Sequence, residues 1–325
     1  MTAPGVAGST AADQSPPDDA LARFLHPAEP ARFRQAVFDR APLHLAAADR
    51  VAGPVTDRTE IEGWLAMPAL WTARTLQLYR NGERVPEGVY CDQPDPNQPG
   101  ILRPRRATVQ RHLDQGDALL LAGIDELTPR LAALSRALEQ GLGGRVAINL
   151  YWSRPETDAF AAHFDGHHVF ALQVEGRKRW TIFRDRETHP IEGAPVAADR
   201  VAGLTPAGDV MMAPGDLLYL PRGLVHRARA EDGPSIHLAI GLTERTGLDL
   251  LGLIAQIAAH DPDFRAGLPL AGTDGDRFAA RVAALLGKLG PLYQGNRAAV
   301  DRAIAAAQAG RPDRGETVRL SDGSH

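Results

Sequence analysis

The sequence predicts an α+β protein built on an antiparallel barrel or sandwich and framed by helices. Two observations carry this. From Arg145 onward the chain breaks into short β-like runs, RVAINLY, HVFALQV, KRWTIF, DVMMAP, DLLYLP and SIHLAIGL. The turn signals DGH, VEGR, APGD and PRG separate them, which is the punctuation of an all-β barrel or sandwich. On either side of this region the apolar residues recur at helical spacing instead.

Taken in order, residues 1–20 are rich in Pro, Ser, Asp and Ala and read as a disordered tail. PARFRQAVFDRAPLHL begins helix-like, and DRTEIEGWLAM (57–67) has an amphipathic helical pattern. Pro86 to Pro104 is crowded with Pro, Gly, Asp and Asn and reads as a long loop of the kind that lines binding sites. ALLLAGI (118–124) predicts a buried strand, and DELTPRLAALSRALEQGLG a helix with a glycine stop. After Thr243 three helices are expected, in LDLLGLIAQIAAHD, DRFAARVAALLGKLG and NRAAVDRAIAAAQAG. The expected domains are a tail (1–20), a main domain (21–245), a helical region (246–312) and a flexible end (313–325).

Composition excludes several classes. A net charge of -4 offers no electrostatic case for nucleic-acid binding, and RPRR (103–106) reads as a solvated loop. The single cysteine, Cys91, excludes an intrachain disulfide and a thiolate metal cage, and it reads as a bystander. The N-terminus lacks the charged start and apolar run of a signal peptide. No apolar stretch approaches the roughly 20 residues that span a bilayer, so a soluble, cytoplasmic protein is expected. Arginine outnumbers lysine so heavily, with Lys178 and Lys288 alone, that the chain has the look of a GC-rich bacterial genome. Each lysine therefore invites a question.

HFDGHH (163–168) carries the densest chemistry. On a strand, His163 and Asp165 point to one side and can share an ion. A helical zinc-protease motif is excluded, because the glutamate is missing and Gly166 interrupts. The best third ligand is His226 in PGDLLYLPRGLVHRA, where two turns flank a buried strand and deliver the histidine. Two histidines and a carboxylate with open positions form the facial triad of non-haem iron oxygenases, although the same donors also suit Mn, Co or Ni. In KRWTIF, alternation puts Lys178 on one face with Trp180 and Ile182. An inward ammonium needs an anion, from the protein or from a ligand. 2-Oxoglutarate is attractive here, with a far carboxylate to anchor and a 2-oxo acid to chelate.

With AINLYWSRP, HFDGHHVFALQVEGRKRW, PGDLLYLPRGLVHRA and SIHLAIGL in hand, the chain resembles the JmjC-type 2-oxoglutarate oxygenases of the cupin superfamily. The likeness is to their bacterial ribosomal-oxygenase-like branch, over about residues 110–245. The resemblance implies a double-stranded β-helix, the cupin jelly-roll barrel, with His163, Asp165 and His226 on Fe(II). It implies Lys178 on 2-oxoglutarate, Asn149 lining the cosubstrate pocket and Tyr151 facing the substrate. It further implies use of O2, hydroxylation of a side chain in a protein or peptide (a ribosomal protein or a peptide natural product), and a homodimer through the tail helices.

Tyr151, His168, His237 and Thr243 are candidates to line the substrate channel. His167 is expected beside the site, and Met211–Met212 as core filling. Two departures from the family touch the mouth of the site: the PETDAFAA loop, and His168 where an acidic residue is more usual. The chain is also expected to lack the winged-helix module that often follows in relatives. Two other classes compete: a cupin-like isomerase or 2-oxoglutarate-independent dioxygenase, and a non-catalytic binding module. The first more often shows His-x-His with a following glutamate, where this chain has Asp165 and Gln173.

Overall fold

The computed structural model describes residues 17–47, 55–92, 100–155, 161–191 and 203–311. The expected tails, in 1–16 and 312–325, and parts of two expected loops, 93–99 and 156–160, lie outside the described residues. The chain divides into two compact units, residues 1–142 with 146–243, and residues 143–145 with 244–325.

The first unit contains helices α1 (Pro17–Leu25), α2 (Pro30–Arg32), α3 (Arg58–Leu65), α4 (Glu87–Tyr90), α5 (Arg106–Asp114) and α6 (Pro129–Leu142). Its strands are β1 (Leu43–Leu45), β2 (Leu76–Arg80), β3 (Glu83–Arg84), β4 (Ala118–Leu121), β5 (Arg145–Ser153), β6 (His168–Arg186), β7 (Pro206–Met212), β8 (Leu217–Leu220) and β9 (Leu224–Thr243). They run in the order β1-β8-β6-β9-β5-β4-β2-β3, with β7 also on β6. The first part of β6 pairs antiparallel with β8 and the second with β7, while β9 accompanies both.

VEGR (174–177) does not end a strand, contrary to the expectation. HVFALQV and KRWTIF are one 19-residue strand, β6, and LVHRA and SIHLAIGL likewise fall within the 20-residue β9. Glycine with positive φ serves a bulge as readily as a turn. Gly176 has φ +68, and a Cβ there would lie 2.1 Å from the Pro234 carbonyl oxygen. The register slips on both sides of Glu175, which changes the parity of β6. Val169 and Ala171 before the bulge therefore pack into the same cluster as Trp180 and Ile182 after it, together with Met212, Leu218 and Leu220. That cluster is the barrel interior; Met212 is buried in it, with Met211 only half-buried.

The opposite sheet face carries the larger core. Ile148 and Leu150 of β5, Phe170 and Leu172 of β6, and Ile236, Leu238, Ile240 and Leu242 of β9 pack in one cluster with helical residues. These include Leu21 and Leu25 of α1, Ile61 and Trp64 of α3, and Leu131 and Leu138 of α6. Helix α3 starts where Asp57 caps it by accepting from the Glu60 N–H at 2.9 Å. The segment after Pro30 is helical only to Val37 before it becomes β1. Part of the expected loop after Pro86 is the short helix α4.

In the second unit, α7 (Gly247–Ala258), α8 (Pro262–Arg265) and α9 (Gly275–Gln308) follow. Thr246 and Asp249 form a capping box at the start of α7. Two helices were expected in the last segment, but α9 continues for 34 residues through Pro291. Lys288 is held by Asp261 at 3.2 Å and by Asp263 in closer contact, so this lysine ties α9 to α8. No helix among the described residues is long and apolar enough to cross a membrane.

Because Gly176 joins a left-handed φ to a close backbone approach, Gly176→Ala should destabilise the protein by at least about 2 kcal/mol. Urea denaturation checks this, and a change below about 0.5 kcal/mol would show that the bulge accepts a side chain.

Candidate metal centre

His163 enters the barrel beside His226 through a two-way backbone bridge. The His163 N–H donates to the His226 carbonyl at 3.0 Å, and the His226 N–H donates to the His163 carbonyl at 2.8 Å. Residues paired in this way send their side chains to one face, and the two imidazole centroids stand 4.6 Å apart. Asp165 follows two positions later, anchored where its carbonyl accepts the Gly223 N–H at 2.8 Å. Its Oδ2 lies 3.5 Å from His226 Nε2. One donor atom from each of His163, Asp165 and His226 lies within 4.8 Å of the others.

The histidine tautomers are set by what surrounds them. His163 Nδ1 faces the Ala161 carbonyl at 2.8 Å, and His226 Nδ1 faces the Leu224 carbonyl at 2.9 Å. A carbonyl only accepts, so both Nδ1 atoms carry the proton and both Nε2 lone pairs are left for a metal. Burial, with His163 alongside, pushes His226 down to about 4, so its ring is neutral at physiological pH. Two imidazole nitrogens and one carboxylate suit a first-row divalent ion such as Fe(II), with further coordination positions left open.

Lys178 is 3% exposed and shares the interior face of β6 with Trp180 and Ile182. Its Nζ donates to Ser153 Oγ and to His237 Nδ1, each at 3.0 Å. Neither partner is an anion, and among the described residues no carboxylate pairs with it. Burial alone lowers Lys178 to about 7. Burial and the adjacent ammonium hold His237 well below the usual histidine range, so it is a neutral acceptor. The site thus has metal donors at one end and an uncompensated buried cation at the other, which suits a bridging dianion.

Tyr151 and Asn149 share a face of β5 with Ser153, opposite Ile148 and Leu150. Tyr151 stacks on His237 with centroids 5.1 Å apart, and burial, reinforced by Asp165, keeps its phenol protonated. Asn149 Oδ1 accepts the Gly123 N–H at 3.1 Å, and its side chain also hydrogen-bonds Tyr151. Thr243 is exposed at the end of β9.

His168 departs from its expected place on the channel. It lies on the helix-side face with Phe170 and Leu172, stacked on Phe38 at 4.3 Å and receiving the Tyr219 hydroxyl at 3.0 Å. Strand parity puts it there. His167 faces the interior, where its ring covers Gly241; a Cβ at 241 would lie 2.7 Å from His167 Cδ2. Sequence reasoning did not single out Ser153, although alternation from Tyr151 leads to it.

The strands thus bring together a cluster of potential metal donors, His163, Asp165 and His226, and comparison with known proteins shows what this region is similar to. Residues 125–250 match the JmjC domain, and this part of the chain has the JmjC cupin fold. Rat ribosomal oxygenase 2 is 34% identical over 173 residues, covering 51% of this chain and 35% of that protein. The bifunctional lysine-specific demethylase and histidyl-hydroxylase NO66 of Drosophila persimilis is 31% identical over 170 residues, covering 50% and 25%. The chain thus spans about a third or less of the length of these curated relatives. Among solved structures, Escherichia coli YcfD aligns with a TM-score of 0.47 and 17% identity, covering 79% of this chain and 67% of that one.

Removal of the one carboxylate in the triad should cost most of the metal affinity. Asp165→Ala is expected to weaken Co(II) binding at least about 100-fold, read from the visible cobalt bands, with the fold intact by circular dichroism. Unchanged cobalt spectra would place the metal elsewhere.

Proposed function

We propose that the protein is an Fe(II)- and 2-oxoglutarate-dependent oxygenase that hydroxylates a side chain of a protein or peptide substrate. The observation that carries this is Lys178, a buried lysine with no carboxylate partner among the described residues, in the same interior as the His163–Asp165–His226 triad. Iron and 2-oxoglutarate would supply the oxidising chemistry, consuming O2 and releasing succinate and CO2 as one oxygen atom enters a substrate C–H bond. The chain's own residues do the rest. His163, Asp165 and His226 hold the ion, and Lys178 with Ser153 receives the far carboxylate. The apolar interior around Trp180, Ile182 and Met212 excludes water.

The names of the relatives, ribosomal oxygenase and histidyl-hydroxylase, support a protein substrate, with a ribosomal protein the first to try and a peptide natural product the second. Tyr151 and His167 are the side chains proposed to meet it. The second unit is proposed as a homodimer contact in a cytoplasmic protein, because α7 exposes Leu248 and Leu251 and α9 exposes Leu286. Light scattering should give about twice the chain mass of 34.9 kDa. A monomer mass would remove that proposal.

Anaerobic addition of 2-oxoglutarate to the Fe(II) protein should produce a visible iron-to-ligand charge-transfer band. Lys178→Ala should retain iron but need at least about 100-fold more 2-oxoglutarate to produce it. A folded, iron-loaded protein without the band would refute the cosubstrate.

The same titration has a definite pH dependence. The unliganded lysine is lowered to about 7, and a bound carboxylate raises it, so binding above that pH takes up a proton. Affinity should be flat well below pH 7 and roughly 30-fold weaker at about pH 8.5. An affinity that rises with pH would contradict this role for Lys178.

A further inference from the structure

Trp180 is the interior group whose chemistry is still unmatched. It is 3% exposed, and its Nε1 is buried with no hydrogen-bond partner among the described residues. An indole N–H only donates, and leaving such a donor buried and unmatched costs stability. Tryptophan is normally placed in an interior where that N–H meets an acceptor.

The neighbouring rings cannot supply one. The His226 centroid is 5.6 Å away, and the His237 centroid is 5.5 Å away with its plane at 89° to the indole. His226 carries its proton on Nδ1 toward the Leu224 carbonyl and turns Nε2 toward Asp165 and the triad. His237 Nδ1 receives Lys178. Val169, Ala171, Ile182 and Met212, in the same buried cluster, offer no side-chain acceptor.

Position then decides what the acceptor is. Trp180 stands two residues from Lys178 on one face of β6, and its ring lies beside both the metal histidine His226 and the lysine partner His237. A diacid held by the triad at one end and by Lys178 at the other must pass it. We infer that the Trp180 indole N–H donates to a carboxylate oxygen of the bound 2-oxo diacid, making Trp180 a positioning residue for the cosubstrate. This rests on the 2-oxoglutarate reading above. It gives Trp180 a polar role beyond filling the barrel, one that phenylalanine cannot perform.

The test uses full-length protein labelled with [15N]tryptophan and loaded with Zn(II), which is diamagnetic and redox-silent. The chain has four tryptophans, so four indole N–H signals are expected, and Trp180→Phe identifies one by its loss. On addition of 2-oxoglutarate the Trp180 signal should move downfield and exchange more slowly with solvent. Trp180→Phe should bind Zn(II) as wild type does but 2-oxoglutarate about tenfold more weakly, equivalent to about 1.4 kcal/mol. If all four indole signals stay put while calorimetry shows 2-oxoglutarate bound, the inference is overturned, even if the variant misfolds. A folded Trp180→Phe protein with wild-type affinity overturns it too. If 2-oxoglutarate binds neither protein, the cosubstrate reading itself fails, and this inference with it.

Discussion

Strands β6 and β9 pair from His168↔Leu242 at one end to Arg186↔Leu224 at the other, and this ladder aligns most of the site. Residues directly opposed in an antiparallel pair share a face, so Ile182↔His226, Lys178↔Ala230 and Gln173↔His237 set metal donor, cation and acceptor in one interior. The bulge at Gly176 makes that possible, since without its change of parity the two halves of β6 would present opposite faces. His163 and Asp165 then join by the backbone bridge to His226. Lys178, His226 and His237 hang on this paired ladder, with His163 and Asp165 fastened to it by backbone bonds to His226 and Gly223.

Electrostatics complete the logic of that interior. The protein contributes one carboxylate, Asp165, and one ammonium, Lys178, separated so that they do not neutralise each other. His226 and His237 are both held neutral by burial. A divalent metal and a dicarboxylate, added together, bring the formal charge of the whole cluster to zero, whereas either alone leaves an imbalance in an apolar enclosure. Metal and cosubstrate are therefore expected to strengthen each other's binding.

Features governed by local chemistry were legible in the sequence. The spacing of His163 and Asp165, the turn-flanked approach to His226 and the inward alternation of Lys178 with Trp180 all follow from strand geometry and turn residues. What needed three dimensions was not legible. VEGR reads as a turn, because a glycine with positive φ serves turn and bulge alike; only the approach of Pro234 decides between them. His168 was expected on the channel, yet parity along Phe170 and Leu172 buries it against Phe38 and Tyr219. The seat of His167 on Gly241 joins residues far apart in sequence, and no local pattern announces it. The inward Lys178 already suggested a dicarboxylate, and the resemblance to JmjC oxygenases added the double-stranded β-helix, which periodicity alone did not.

The central claim is that one interior holds a metal and a diacid between the triad and Lys178. Anomalous diffraction at the iron edge, from crystals grown anaerobically with Fe(II) and 2-oxoglutarate, tests it most directly. A single iron peak within bonding distance of His163 Nε2, Asp165 and His226 Nε2 is predicted, with continuous ligand density reaching Lys178. Iron at any other residues, or a diacid bound away from Lys178, would contradict it.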